Sequence, residues 1–501
     1  MRRSWLAIVA GGISYCRGIL QDDKLPAFNR QLPEYHQSDI NLFPQPRTLL
    51  VSALPDAEGE RERLNQQFRW ADFQPTGFYL NPAKELKVTV AQVAEAQSDL
   101  PSGEHNPGEN PQMSRGASDD EDLGLHILVG TPSLVHPEDE TKVILEPGQN
   151  GEPSEPLKLG KNTISNPGGG IIYIQYTHTP GQNRPDLNIT IDDGDAAQPF
   201  PFYREGVTSN DQWKTMLAET KVPFAEMVGK RIIISGLPKY AKMFANNGQD
   251  QQELLDYYKT IIDAQDDFSG LRESENDPRD RPSPLRPLVV QTIDTQTLGH
   301  GADATNYRLA VPVDSSVWIY WLPELRKAWG MWHELGHFRQ HVQTWSWEAL
   351  AEVTVNIYSL AARRLVPDIP SEDESINHAT RQEWEEAKKY LDQEENEKDF
   401  DQTPTDISSF VRLVMFEQLR VVFGDNFYHQ LHYQSRRDGE LSSDADKKHY
   451  FMTHSARISG TDLTQYFTKW GLRPEMRTID EMGEQSEPTE DFTKRPVNVN
   501  E

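Results

Sequence analysis

The sequence predicts a multidomain α+β chain: an N-terminal β-sandwich, a mixed α/β middle part and a C-terminal helical part. Three observations carry that expectation. Short β-branched and aromatic runs fill residues 70–191, helical periodicity begins near residue 211, and a long helical text with paired histidines occupies residues 317–365. At 501 residues the chain has room for about three domains of ordinary size.

The strand-like runs are residues 78–80 (FYL), 86–90 (LKVTV), 125–129 (LHILV), 143–145 and 171–176 (IIYIQY). Gly and Pro separate them, and Asn166-Pro167-Gly168-Gly169-Gly170 reads as a turn feeding a strand. That spacing suits a sandwich over residues 67–205 rather than βαβ units. Residues 102–122 are polar and Gly/Pro-rich and read as a disordered excursion. The middle part, residues 206–366, opens with helical text at 213–219 and 251–264, then a Pro- and Arg-rich linker at 277–287 and an apolar strand at 288–290. Residues 367–475 form the helical part, and its stretch 368–401 holds 13 acidic and 4 basic residues, a solvated helix or an insertion. Residues 476–501 read as a disordered tail and residues 17–66 as an N-terminal extension.

Charge narrows the function classes. With 50 Lys plus Arg against 78 Asp plus Glu, the net charge of −28 repels phosphate backbones and anionic headgroups, so nucleic acid is not an expected partner. No apolar run is long enough for a transmembrane segment. The single cysteine, Cys16, excludes a disulfide framework and a thiolate metal site. Met1-Arg2-Arg3, an apolar stretch at 6–13, and small residues Ser14 and Cys16 together form a candidate signal segment over 1–16, so secretion is expected. The sequon Asn188-Ile189-Thr190 is compatible with that route.

The chemistry concentrates in His333-Glu334-Leu335-Gly336-His337, an H-E-x-x-H motif inside helical text at 323–340. Residues four apart share a helix face about 6 Å apart, so both imidazoles can reach one ion at ~2.1 Å. Glu334 then points beside the ion and can take a proton from a polarised water. The bland alternative is two histidines on a solvated helix face. A catalytic zinc site needs a third protein ligand. His341 lies about 12 Å along the axis from His333 on a straight helix, too far for one ion, and reads as a rim residue or as one that supports a ligand from behind. Thr344-Trp345-Ser346-Trp347 breaks the helix, with Ser346 a candidate N-cap for a second one. That helix carries Glu348, Glu352 and Asn356 on one face, and an antiparallel return can bring such a carboxylate over the histidines.

The text His333 to Gln340 followed by Glu352-Val353-Thr354-Val355-Asn356 resembles the enhancin-like metallopeptidases of family 60, which include mucin-degrading enzymes. Thr76-Gly77-Phe78-Tyr79, the Asn166-Pro167-Gly168-Gly169 turn with Ile171 to Ile174, Trp213…Leu217 with Pro223…Ala225-Glu226, and Phe416-Glu417-Gln418-Leu419 also match, in order. The resemblance implies a zincin-like catalytic domain holding Zn2+ with His333, His337 and Glu352 as ligands and Glu334 as general base. It implies O-glycosylated, mucin-like glycoproteins as substrates. Asn356, one turn beyond Glu352, can orient a ligand. The family's M-H-S-G-Y-P text is only loosely kept as His300…Asn306-Tyr307-Arg308, and there Tyr307 is the candidate substrate-binding residue. Tyr307, Tyr450 and His454 are also candidate oxyanion donors.

Six of eleven tryptophans fall within residues 318–347; most read as core, with one or two left to stack a sugar ring. Trp318 and Trp321 sit in strand-like text, and the strand near 307–313 reads as an edge for an extended peptide. The rival is a glycan-binding, adhesin-like module without turnover, which would not need Glu334. A related aminopeptidase would show G-x-M-E-N-type text, which is absent.

Overall fold

The computed structural model describes residues 43, 46–93, 123–145, 153–191, 196–365, 381–401 and 407–497. The candidate signal segment with Cys16, the excursion at 102–122 and the first part of the acidic stretch lie outside them.

Alternation builds the sandwich. In strand Glu85–Gln92, Leu86, Val88 and Val90 point inward, as do Leu187, Ile189 and Ile191 of Leu187–Ile191. These two strands sit between Thr48–Val51 and Gly160–Ser165 in an antiparallel four-stranded sheet. The facing sheet centres on Gly170–His178, flanked by Phe73–Leu80 and Leu125–Val129. Its residues alternate differently: Ile172 and Ile174 enter the sandwich core, whereas Ile171 and Tyr173 join the core of the next domain. A sheet covered on both faces explains the unbroken apolar text at 171–174. The sandwich therefore starts earlier than residue 67, since Thr48–Val51 pairs within it, and it ends before Phe202–Arg204. That last strand pairs in parallel with Ala225–Val228 of the second sheet.

The second sheet is mixed and six-stranded, in the order Phe202–Arg204, Ala225–Val228, Ile233–Gly236, Leu288–Thr292, Arg308–Pro312, Asp303–Thr305. The outer strand is Asp303–Thr305, so Arg308–Pro312 is covered on both sides and is not the edge that its text suggests. Glu226 lies fully buried between the domains, accepting hydrogen bonds from Tyr173 (2.9 Å) and Ser235 (2.6 Å).

The helical text at 323–340 resolves into Leu322–Leu325 and Trp329–His337, and the chain leaves helix at Phe338. Trp318 lies in a helical turn, Val317–Tyr320, with Trp321 at its end rather than in a strand. Four of the clustered tryptophans (329, 332, 345 and 347) are fully buried, and Trp321 packs half-buried on Phe244, ring centres 5.8 Å apart. These rings are core, and none of those four is free to stack a sugar. Ser346 is not an N-cap: its hydroxyl bonds Thr354 at 2.6 Å, and the return helix starts at Ala351.

The C-terminal helix Ser409–Phe423 packs against the return helix, and Asp425–Ser435 packs against Ser409–Phe423 and Asp444–Ser459. Helix Arg381–Leu391 buries Ala387 and Tyr390, so that part of the acidic stretch is not wholly solvated. The expected disordered tail is folded as far as residue 497: Met476–Met482 is helical, Phe492 and Val497 are buried, and Gln418 donates to the carbonyls of Thr493 and Arg495.

Candidate metal centre

Two helices build the site. Trp329–His337 carries both histidines, and the antiparallel return Ala351–Arg364 carries Glu352 and Asn356. Their approach is close because Gly336 faces the return helix; a Cβ there would stand 2.9 Å from the Val355 carbonyl and 3.3 Å from Tyr358 Cβ. The glycine inside the motif is thus a packing requirement. Helix Gln251–Phe268 backs the pair: Gln265 donates to the Trp332 carbonyl (2.8 Å) and Asp266 pairs with buried Arg339 (2.8 Å), fixing the chain as it leaves His337.

The ligand atoms of His333, His337 and Glu352 all lie within 4.8 Å of one another. His333 Nε2 stands 3.0 Å from Glu352 Oε2 and His337 Nε2 3.9 Å from Oε1, with the two rings nearly perpendicular. Among the described residues this is the cluster that could hold an ion.

Neighbouring amides set the ring tautomers. Asn356 Nδ2 donates to the Glu352 carbonyl, so its Oδ1 faces and accepts from His333 Nδ1 (2.8 Å) and Trp329 Nε1 (3.0 Å). Gln340 Nε2 donates to the Ala351 carbonyl, so its Oε1 accepts from His337 Nδ1 at 2.7 Å. Both Nδ1 atoms therefore carry hydrogens, and Nε2 is the nitrogen each ring turns to the cluster; His333 Nε2 shares a proton with Glu352 and would ligate a divalent cation once that proton leaves. Sequence reasoning found Asn356 but missed Gln340 and Trp329; the glutamine three residues past His337 was the available signal.

Electrostatics follow from burial. His333 and Glu334 are buried, while the Glu352 side chain is 46% exposed, so the cluster opens to solvent on that side. Burial pushes the Glu334 carboxyl up to about 8. It also drives His337 below the ordinary imidazole range, with the His333 charge adding to the effect. For His333 burial works the same way, but the hydrogen bond with Glu352 and the charges of Glu334 and Glu352 outweigh it and raise the imidazole. Glu352 is held low: burial opposes its charge, and the bond with His333 overcomes that. A cation at the cluster would favour ionised Glu334 as well.

The other candidates are engaged elsewhere. His341 lies beyond the helix end, not on it, and is buried with its Nδ1 2.6 Å from Ser435 Oγ and its ring against His432. It is therefore not a rim residue. Glu348 sits in a single 3-10 turn, its backbone N–H bonded to Asp444. Tyr450 donates to Asp438 and stacks on His454. Tyr307 occupies the turn of the edge hairpin with a positive φ of 74°, its ring beneath the Arg69 guanidinium.

The family model described as peptidase M60, enhancin and enhancin-like matches residues 196–471, more than half the chain. The chain belongs to this family. The N-terminal domain of M60-like peptidases matches residues 55–121. A functionally unknown conserved protein from Bacillus anthracis has the same fold at TM-score 0.69 and 25% identity, over 90% of this chain and 82% of that one. A metallopeptidase solved in complex with Tn antigen superposes at TM-score 0.66 and 14% identity, over 89% of this chain and 79% of that one. A TRPM8 channel-associated factor homolog from Danio rerio is 24% identical over 79% of this chain and 38% of its own length. The chain thus spans little more than a third of such curated relatives. The metallopeptidase family implies a metal cofactor, and His333, His337 and Glu352 form the cluster that could hold one.

Proposed function

We propose that this chain is a zinc-dependent endopeptidase that cleaves glycoproteins, with mucin-like O-glycosylated chains as the substrate class. One observation carries the reading: buried Glu334 stands beside the converging Nε2 atoms of His333 and His337 and the Glu352 carboxylate, its Oε2 4.0 Å from His337 Nε2. Two imidazoles and one carboxylate suit zinc, and the solvent-facing side leaves room for water and substrate. Zinc held by His333, His337 and Glu352 would supply Lewis acidity to the scissile carbonyl and to water. Glu334 accepts the water proton and delivers it to the leaving amine. Asn356 and Gln340 hold the imidazoles in the ligating tautomer throughout. The Tn antigen complex of a fold relative supports a glycosylated substrate.

The relatives named for association with a channel favour a second reading, a binding protein without turnover. The two separate cleanly. A mucin glycoprotein is incubated with wild type, with wild type plus chelator and with Glu334→Gln, and new N-termini are sequenced. The expected result is fragments with wild type alone, the variant keeping its zinc and losing 10²-fold or more in rate. Absence of new termini with zinc-loaded wild type would leave the binding reading standing.

A further inference from the structure

We infer that Phe68, carried by the N-terminal domain, forms an apolar wall of the substrate cleft beside His337 and selects an apolar side chain next to the scissile bond. This rests on the peptidase reading above. Phe68 is half-buried, its ring centre 6.4 Å from the His337 ring and 5.9 Å from Phe338. Phe338 in turn packs edge-on against buried Trp70, ring centres 6.1 Å apart. One part of the Phe68 ring is thus anchored in the core while the remainder borders a metal ligand and solvent.

The connector that carries it, from helix Ala57–Leu64 to strand Phe73–Leu80, is stitched on both sides. Toward the edge hairpin, Tyr307 N–H donates to the Arg69 carbonyl (2.6 Å) and Arg69 N–H donates to Asn306 Oδ1 (3.0 Å). The Arg69 guanidinium covers the Tyr307 ring at 4.9 Å. Toward the C-terminal helices Asn65 Nδ2 donates to the Ser435 carbonyl (2.8 Å), and from the turn after the histidine helix Gln343 Nε2 donates to the Gln66 carbonyl (3.1 Å). A ring held by such a frame loses little freedom when a ligand packs on it. Phenylalanine has no hydrogen-bonding edge, so its exposed face matches an apolar side chain better than a hydroxyl-lined one. The buried tryptophans nearby cannot serve instead. The N-terminal domain thereby completes a site whose ligands all lie in the second domain.

The test uses the full chain loaded with zinc. Peptides varied on either side of one scissile bond are cleaved by wild type, Phe68→Ala and Phe68→Tyr, and products are mapped by mass spectrometry. Wild type should prefer an apolar residue at one flanking position. Phe68→Ala should lose that preference through KM, about tenfold for the apolar-flanked peptide, while Phe68→Tyr keeps it. In a Glu334→Gln background the same peptide should bind about tenfold more weakly with Phe68→Ala by fluorescence anisotropy, with zinc content unchanged. A uniform rate loss across all peptides, loss of zinc, or a preference that follows the glycan rather than the flanking side chain would overturn the inference. If wild type cleaves nothing, the peptidase reading fails, and the anisotropy comparison still decides whether Phe68 contacts apolar side chains.

Discussion

Replacing Glu226 by glutamine should reveal how much the interdomain carboxyl costs at neutral pH. Glu226 is fully buried, and burial raises its carboxyl from 4.5 to about 7 against the opposing hydrogen bonds from Ser235 and Tyr173. The folded state then binds this proton more tightly than the unfolded state does. Below pH 4.5 both states are protonated and the group is neutral in the balance. Between 4.5 and 7 the unfolded chain has released the proton and the folded chain has not, so stability falls as pH rises, and above 7 the loss is complete. At 1.36 kcal/mol per tenfold change in proton affinity, that loss is about 3 kcal/mol. Glu226→Gln stays neutral at every pH and keeps an oxygen for Tyr173 and Ser235. Its amide nitrogen falls where Glu226 Oε2 has no partner, which costs about 1–3 kcal/mol at all pH values. The pH-dependent part is therefore the diagnostic one. Thermal unfolding of both proteins at pH 4.5 and pH 8 should show the variant gaining a few degrees on wild type between the two. A difference in Tm that is the same at both pH values would refute the argument.

Metal analysis of three variants should single out the third ligand. Glu352→Ala loses the metal and activity together, whereas Glu348→Ala and His341→Ala, whose side chains lie outside the cluster, keep most of the metal. Asn356→Ala should weaken zinc affinity 10- to 100-fold in competition titrations, because His333 loses the acceptor that fixes its tautomer. Gly336→Ala should destabilise the fold by about 1–3 kcal/mol and lower metal affinity, since its methyl meets the Val355 carbonyl; unchanged Tm and metal content would show that the helices can separate freely.

Local patterns determined a large share of this protein. Alternation in residues 86–90 and the β-branched and aromatic run at 171–176 marked strands, and the four-residue spacing of His333 and His337 put two imidazoles on one helix face. The E-V-T-x-N text resembling the family singled out Glu352 from Glu348, one turn apart on the same face. These signals are legible because helix and strand periods are set by the backbone, within a few residues of the side chains they orient. Tertiary structure alone decided the rest. His341 has the same spacing from His337 as His337 has from His333, yet the helix stops at His337 and Arg339 is pulled onto Asp266, turning His341 toward Ser435. Ser346 reads as a cap in isolation, but Thr354 takes its hydroxyl once the return helix packs. The tail after residue 476 has the composition of a disordered end and folds because Gln418 and the helical core supply partners. Phe68 reaches His337 across 269 residues of sequence, a contact with no local signature at either end. Periodicity reports which way a side chain faces along its own element. Which distant surface it meets is fixed only when the whole chain closes around a shared core.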